Sequence, residues 1–248
     1  MMMPSQESLT SSKVQFFISG RDLKDMDIVG VSDPFVIVFM REHPSQPWNQ
    51  FGRTEMIKDN LNPDFEQSFI IQYFFEKHQY VKFEVQDGNN VSGKNSLIGS
   101  VETTVGSIVG SRQQTFIGDV VMPGKTSSRG KLIVRADSVK ESNMEITMRV
   151  GGLNLPTTAS CLCANNNIYL EIYRGTPELT NWFKVKDFDP VVGNLNPVFS
   201  TFTCKGQQLC NSDMNLPIMF KFMNQVSATE RQPLCSCIVT LDELNRKK

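Results

Sequence analysis

The sequence predicts an all-β protein built as two antiparallel eight-stranded Greek-key β-sandwiches in tandem, the second expected to lack its last strand. Three observations predict it. Short runs rich in Val, Ile and Phe, at residues 14–18, 35–40, 69–75 and 80–85, alternate with clusters of Gly, Asn, Asp and Pro, the punctuation of strands and turns. The polar segments carry Gly or Pro every few residues and show no sustained 3.6-residue apolar stripe, so helix is confined to short turns such as residues 105–109. Finally, the second half of the chain repeats the first.

The repeat rests on three blocks. Asn60-Leu61-Asn62-Pro63-Asp64-Phe65 recurs as Asn194-Leu195-Asn196-Pro197-Val198-Phe199, Gly20-Arg21-Asp22-Leu23 as Gly152-Leu153-Asn154-Leu155, and the strand at residues 35–41 as residues 168–174. Their common order, at offsets of about 132 to 134 residues, marks two copies of one domain. A chain of 248 residues is long enough for two such units, each burying its own core. The expected layout is a disordered N-terminus over residues 1–12, a first domain over 13–138, a linker over 139–143 and a degenerate, incomplete second domain over 144–248. Lys131-Leu132-Ile133-Val134-Arg135-Ala136 closes the first copy, whereas the second stops after residues 237–240 and a short polar tail. A missing final strand leaves an open sheet edge, which a partner strand or a longer chain is expected to cover.

Composition narrows the function. Lys and Arg total 25 against 26 Asp and Glu, so there is no basic field for gripping nucleic acid. The first residues lack the basic and apolar regions of a signal peptide, and the longest apolar run, residues 35–40, is too short to span a bilayer. All six cysteines follow residue 160, which argues against a disulfide scaffold spread over the fold and for reduced thiols. The reading is a cytoplasmic protein that touches membranes from outside.

The most informative segment is Leu23-Lys24-Asp25-Met26-Asp27-Ile28-Val29-Gly30-Val31-Ser32-Asp33-Pro34-Phe35, a carboxylate-rich loop entering a strand. Calcium takes six to eight hard oxygens, and carboxylates spaced along a loop can converge on it. Asp27 and Asp33 suit that role. A second loop, residues 85–96, contains Asp87, Gly88, Asn89, Asn90, Ser92, Gly93, Asn95 and Ser96, dense in oxygen donors. The bland alternative is that Asp25, Asp27 and Asp33 are turn residues, since Asp is favoured in turns for its backbone hydrogen bonds.

Here the sequence resembles the C2 family, in which Asp-x5-Asp-Pro-Phe/Tyr, Leu-Asn-Pro-x-Phe/Trp and a later Asp-x-Asp loop appear in this order. Phe51-Gly52-Arg53-Thr54-Glu55, Leu61-Asn62-Pro63-Asp64-Phe65 and Tyr73-Phe74-Phe75-Glu76 resemble the copines more closely. In that family a von Willebrand A-type domain follows two C2 modules, and no counterpart of it is read in these residues. The resemblance runs from about Val14 onward and is weaker in the second half.

The resemblance implies calcium-dependent binding to anionic phospholipid through Asp27, Asp33 and Asp87. Asn89 stands where the second Asp of Asp-x-Asp is expected, and Ser96, just before Leu97-Ile98-Gly99, replaces the last acidic position. Amide and hydroxyl oxygens still coordinate, but affinity follows ligand charge, so a weakened site with one or two ions is expected. Met26, Ile28, Val29, Val91 and Lys94 around these carboxylates suit shallow insertion among headgroups.

The second copy reads differently. Asn167-Ile168-Tyr169 replaces Asp33-Pro34-Phe35, and the later loop, residues 223–230, has lost its paired aspartates, so no calcium site of the usual kind is expected there. Lys184 and Lys186 alternate along a strand and share one face, an anion contact or a plain solvated face. Cys161, Cys163, Cys235 and Cys237 could form a thiol cluster, although the spacing is not that of structural zinc sites and small buried thiols are the alternative. With two histidines, no nucleophile elbow and no phosphate-binding glycine loop, catalysis is not expected. The function read is a membrane-recruited adaptor. The alternative is a calcium-independent scaffold using the sandwiches or an open edge for protein contacts.

Overall fold

The computed structural model describes residues 11–27, 30–88, 95–140, 142–156, 166–227 and 230–246. The chain divides into two compact units, Met1–Val139 and Lys140–Lys248.

In the first unit, eight antiparallel strands are β1 (Ser11–Arg21), β2 (Pro34–Arg41), β3 (Asn49–Arg53), β4 (Phe69–Phe74), β5 (Tyr80–Asp87), β6 (Ser96–Thr104), β7 (Thr115–Val121) and β8 (Ser128–Ser138). They pair in the order β3-β2-β5-β6-β7-β8-β1-β4. The first strand thus lies between the fourth and the last, a Greek-key path. Period-two alternation decides which residues face inward: on β5, Val81, Phe83 and Val85 are buried while Lys82 and Glu84 face outward and pair at 2.7 Å. Phe16, Ile18, Val36, Val38, Ile98, Leu132 and Val134 complete this core. The expected helical turn is α1 (Val105–Val109), whose N-terminus is capped by the Thr104 hydroxyl accepting from the Ser107 N–H.

The second unit contains β9 (Glu145–Met148), β10 (Asn167–Gly175), β11 (Trp182–Asp187), β12 (Val191–Val192), β13 (Phe202–Lys205), α2 (Gly206–Cys210), β14 (Ile218–Gln225), β15 (Arg231–Val239) and α3 (Leu241–Arg246). One sheet runs β11-β10-β14-β15 with β12 on β10, and β13 pairs separately with β9. Leu170, Ile172, Phe199, Leu209, Ile218, Phe220 and Phe222 form its core.

The repeated blocks repeat because they make the same bonds. The Gly20 N–H donates to Pro63 O at 2.8 Å and the Gly152 N–H to Pro197 O at 2.9 Å; Leu23 and Leu155 donate to Leu61 and Leu195 at 3.0 and 2.9 Å. The side chains of Asn62 and Asn196 accept from Asp22 and Asn154, both at positive φ. Bulges recur as well. Register slips between Val38 and Phe39 against β3 and between Ile172 and Tyr173 against β11, then between Val85 and Gln86 against β6 and between Phe222 and Met223 against β15.

These bulges correct one sequence alignment. Val38 corresponds to Ile172 and Pro34 to Ile168, so the strand match starting at Phe35 and Ile168 is shifted by one residue. The physical reason is the pleat: a one-residue slip would turn buried Leu170 and Ile172 to the wrong face. A second correction concerns the expected missing strand. Among the described residues the second unit has counterparts of β1 to β6, but of neither β7 nor β8.

Candidate functional site

The loop joining β1 to β2 is anchored by buried Leu23 and by the Lys24 N–H, which donates to Arg129 O at 2.9 Å. Gly130, at the start of β8, has φ +110°, and a Cβ there would lie 2.6 Å from Asp22 O, so only glycine lets this strand press against the loop. The Arg129 guanidinium donates to Ile98 O at 3.2 Å and lies 3.8 Å from the Met26 sulfur. Met26 is therefore half-buried against the core at the loop base.

Within the loop the carboxylates have separate duties. One Asp25 oxygen accepts from the Asp27 N–H, the Ser32 N–H and the Ser32 hydroxyl, each at 3.1 Å, so Asp25 organises the turn as the alternative reading anticipated. The Ser32 hydroxyl oxygen accepts from the Met26 N–H at 2.7 Å. Asp33 immediately precedes β2, and its N–H donates to Asp87 Oδ1 at 2.7 Å. Asp87 ends β5 and is 1% exposed. Burial pushes its carboxyl above the usual carboxylate range; the charges of Asp27 and Asp33 push it further, against hydrogen bonds from the Asp33 N–H and Ser32. The charges of Asp27 and Asp33 thus both act on Asp87, and all three carboxylates are hard-oxygen donors of the kind that calcium takes. Ser96 pairs with Asp87 across β5 and β6.

Asp59 joins this group and sequence reading missed it. Its N–H donates to Asp33 Oδ1 at 2.8 Å, and its own Oδ1 accepts from the Val31 N–H at 3.4 Å. It adopts φ 50°, and its counterpart one residue before Asn194 is Gly193 at φ 69°. An acidic residue held where the repeat has glycine was the available signal. Of the other predicted residues, Asn89, Ile28, Val29, Val91, Lys94, Cys161 and Cys163 lie outside the described residues.

The same pole of the second unit carries amides. The Asn167 N–H donates to Asn224 Oδ1 at 3.1 Å, repeating the Asp33–Asp87 bond with no charge. Tyr169 donates to Gln225 Oε1 at 2.9 Å. Lys184 is mostly buried and pairs with Glu171 at 3.4 Å and Asp187 at 3.0 Å. Arg231 reaches Asp187 at 2.9 Å and stacks 3.6 Å over the Tyr169 ring. The Lys186 ammonium lies 5.8 Å from the Phe188 ring. An anion at Lys184 would compete with two resident carboxylates. Cys235 and Cys237 are exposed on β15. Among the described residues no group of three or more His, Cys, Asp or Glu side chains is arranged to hold a metal ion, and no helix is long and apolar enough to cross a membrane.

Residues 14–129 match the C2 domain family, and the first unit is a C2 domain. The chain is copine-like. It is 28% identical over 240 residues to Copine-E of Dictyostelium discoideum and 30% identical over 212 residues to Copine-A of the same organism, alignments covering 94% and 86% of this chain. The alignments take in 40% and 34% of those relatives, so the chain spans well under half their length. Among solved structures it is similar to the first of the C2 domains of plant Extended Synaptotagmin 1, with 22% identity, a TM-score of 0.41, and coverage of 52% of this chain and 97% of that one. It is also similar to the calcium-bound tandem C2 domains of Extended-Synaptotagmin 2, with 16% identity, a TM-score of 0.41, and coverage of 94% and 85%.

Proposed function

We propose that this chain is a non-catalytic, calcium-regulated adaptor that binds anionic phospholipid peripherally at the cytoplasmic face of membranes, with its calcium site in the first unit alone. The observation that carries the reading is Asp87, buried beside the like charges of Asp27 and Asp33. C2 domains commonly bind calcium and phospholipid membranes, which supports the same conclusion.

Asp27, Asp33 and Asp87 supply the carboxylates, Asn89 and Ser96 neutral oxygens, and Asp59 one further charge close by. With two neutral ligands the affinity is reduced and the site holds one or two ions. Bound calcium supplies positive charge that phosphate oxygens of a lipid can share. Without it the four carboxylates repel an anionic surface; once they are neutralised, the Lys94 ammonium and the apolar side chains Ile28, Val29 and Val91 can settle among headgroups, while Met26 stays packed at the loop base. The second unit contributes protein contacts in this reading.

Sedimentation with phosphatidylserine vesicles, in calcium or in chelator, tests it. The chain is expected in the pellet only with calcium, and equal pelleting in both would overturn the switch. Asp33→Asn should abolish most of the calcium-dependent fraction while Asn167→Ala leaves it unchanged; equal losses would refute unequal units.

A further inference from the structure

The segment joining β3 to β4 runs beside both acidic loops of the first unit. It is laced to the residues that enter β2: the Ile57 N–H donates to Pro34 O at 3.1 Å, the Asp59 N–H to Asp33 Oδ1 at 2.8 Å and the Asn60 N–H to Ser32 O at 3.2 Å. Ile57 packs against the core. Its neighbour Met56 is seated elsewhere, across Gly88.

A Cβ at Gly88 would collide with the Met56 sulfur and lie 3.4 Å from Asp33 O, the oxygen to which the Gly88 N–H donates at 3.0 Å. Gly88 follows Asp87, whose carboxylate accepts from the Asp33 N–H. The thioether thus lies over the backbone that ties Asp33 to Asp87, and only a residue without a side chain leaves room for it. It is also open to solvent. Of the described methionines Met56 alone is exposed, at 37%; the others are buried or half-buried, Met26 and Met40 against the first core. An accessible thioether is where a dissolved oxidant acts first, and the sulfoxide it yields is polar where the thioether was apolar.

We propose that Met56 is an oxidation site through which peroxide weakens calcium binding by the first unit, an inference that rests on the calcium site proposed above. In the step a sulfur lone pair attacks one peroxide oxygen. An S–O bond forms, the O–O bond breaks, and sulfur gives up two electrons. The other oxygen leaves as hydroxide and takes the proton of the transferred one, ending as water. The sulfoxide cannot keep an apolar contact over Gly88. Its departure lets water reach the hydrogen bond between Gly88 and Asp33 and loosens the segment that holds Asp59 beside Asp33. The carboxylates are then less firmly prearranged for the ion. Enzymatic reduction of the sulfoxide returns the thioether, so the change is reversible.

The test is graded treatment of the full chain with hydrogen peroxide, read by peptide mass spectrometry and by isothermal calcium titration. Met56 should oxidise about fivefold faster than any other described methionine, and the chain oxidised at Met56 should bind calcium about threefold more weakly. Treatment with methionine sulfoxide reductase should restore the parent titration. Met56→Leu keeps an apolar side chain over Gly88 and has no sulfur to oxidise, so its titrations before and after peroxide should coincide. Met56 oxidising no faster than the half-buried methionines would overturn the proposal, as would an equal loss of affinity in Met56→Leu. So would unchanged or tighter calcium binding after oxidation, the latter marking the sulfoxide oxygen as a new ligand. An untreated chain that binds no calcium overturns the calcium site itself, and this inference with it.

Discussion

The first and second units solve one local problem in two ways. Each must satisfy the N–H of the residue that enters its second strand, and each uses a side chain at the end of the fifth. The first uses Asp87 at 2.7 Å and the second uses Asn224 at 3.1 Å. The amide does the structural work without burying a charge, so folding alone does not require the carboxylate. Asp87 carries the cost of burial and of two neighbouring charges, which the proposed calcium ion would relieve. The second unit shows what the pole becomes when that demand is gone.

Transplanting one unit's residues into the other is the way to break this comparison. The largest effect is expected from Asp87→Asn, which copies Asn224 into the first unit: calcium affinity measured by isothermal titration should fall on the order of tenfold or more. The same variant should remove a pH dependence. A carboxyl raised in the folded state binds more protons there than in the unfolded chain, so without calcium stability falls as pH rises from the unfolded value toward the folded one. Thermal melts in chelator across that acidic range should show the melting temperature of Asp87→Asn gaining on that of the parent as pH rises. A difference that shrinks through this window would contradict the assignment.

The reverse transplant is next in size. Asn167→Asp with Asn224→Asp buries a like-charge pair in the second unit and should destabilise the chain by about 1–3 kcal/mol in chelator. Added calcium should recover part of the lost melting temperature; no loss in chelator would show that the pole tolerates charge freely. The smallest effect is expected from Asp59→Gly, which copies Gly193. Glycine suits the positive φ, so stability should change by less than about 1 kcal/mol, while calcium affinity drops a few-fold. An unchanged titration would remove Asp59 from the site.

Much of this was legible in the sequence because the informative residues are local. The Gly-x-x-Leu and Leu-Asn-Pro blocks make the same short backbone bonds twice, so their recurrence betrayed the repeat. Asp27, Asp33 and Asp87 stood out because they fall where the resemblance places acidic ligands. What stayed hidden depends on partners remote in sequence. Lys184 reads as a free cation until the neighbouring strand brings Glu171 beside it, with Asp187 as a second carboxylate. Asp59 was absorbed into a turn motif, and its acidity mattered only once Asp33 lay beside it. Two alignments of the second strand differed by one residue, and only the ladder register chose the one that sets Ile168 against Pro34.

Those bulges have an evolutionary consequence. Each is a fixed extra residue that resets inward and outward phase within its strand, so an insertion or deletion inside the strand would scramble every contact beyond it. Length changes are therefore driven into the connections, where the two copies do differ. Walls drift by substitution while the rims are free to grow, shrink and acquire new chemistry.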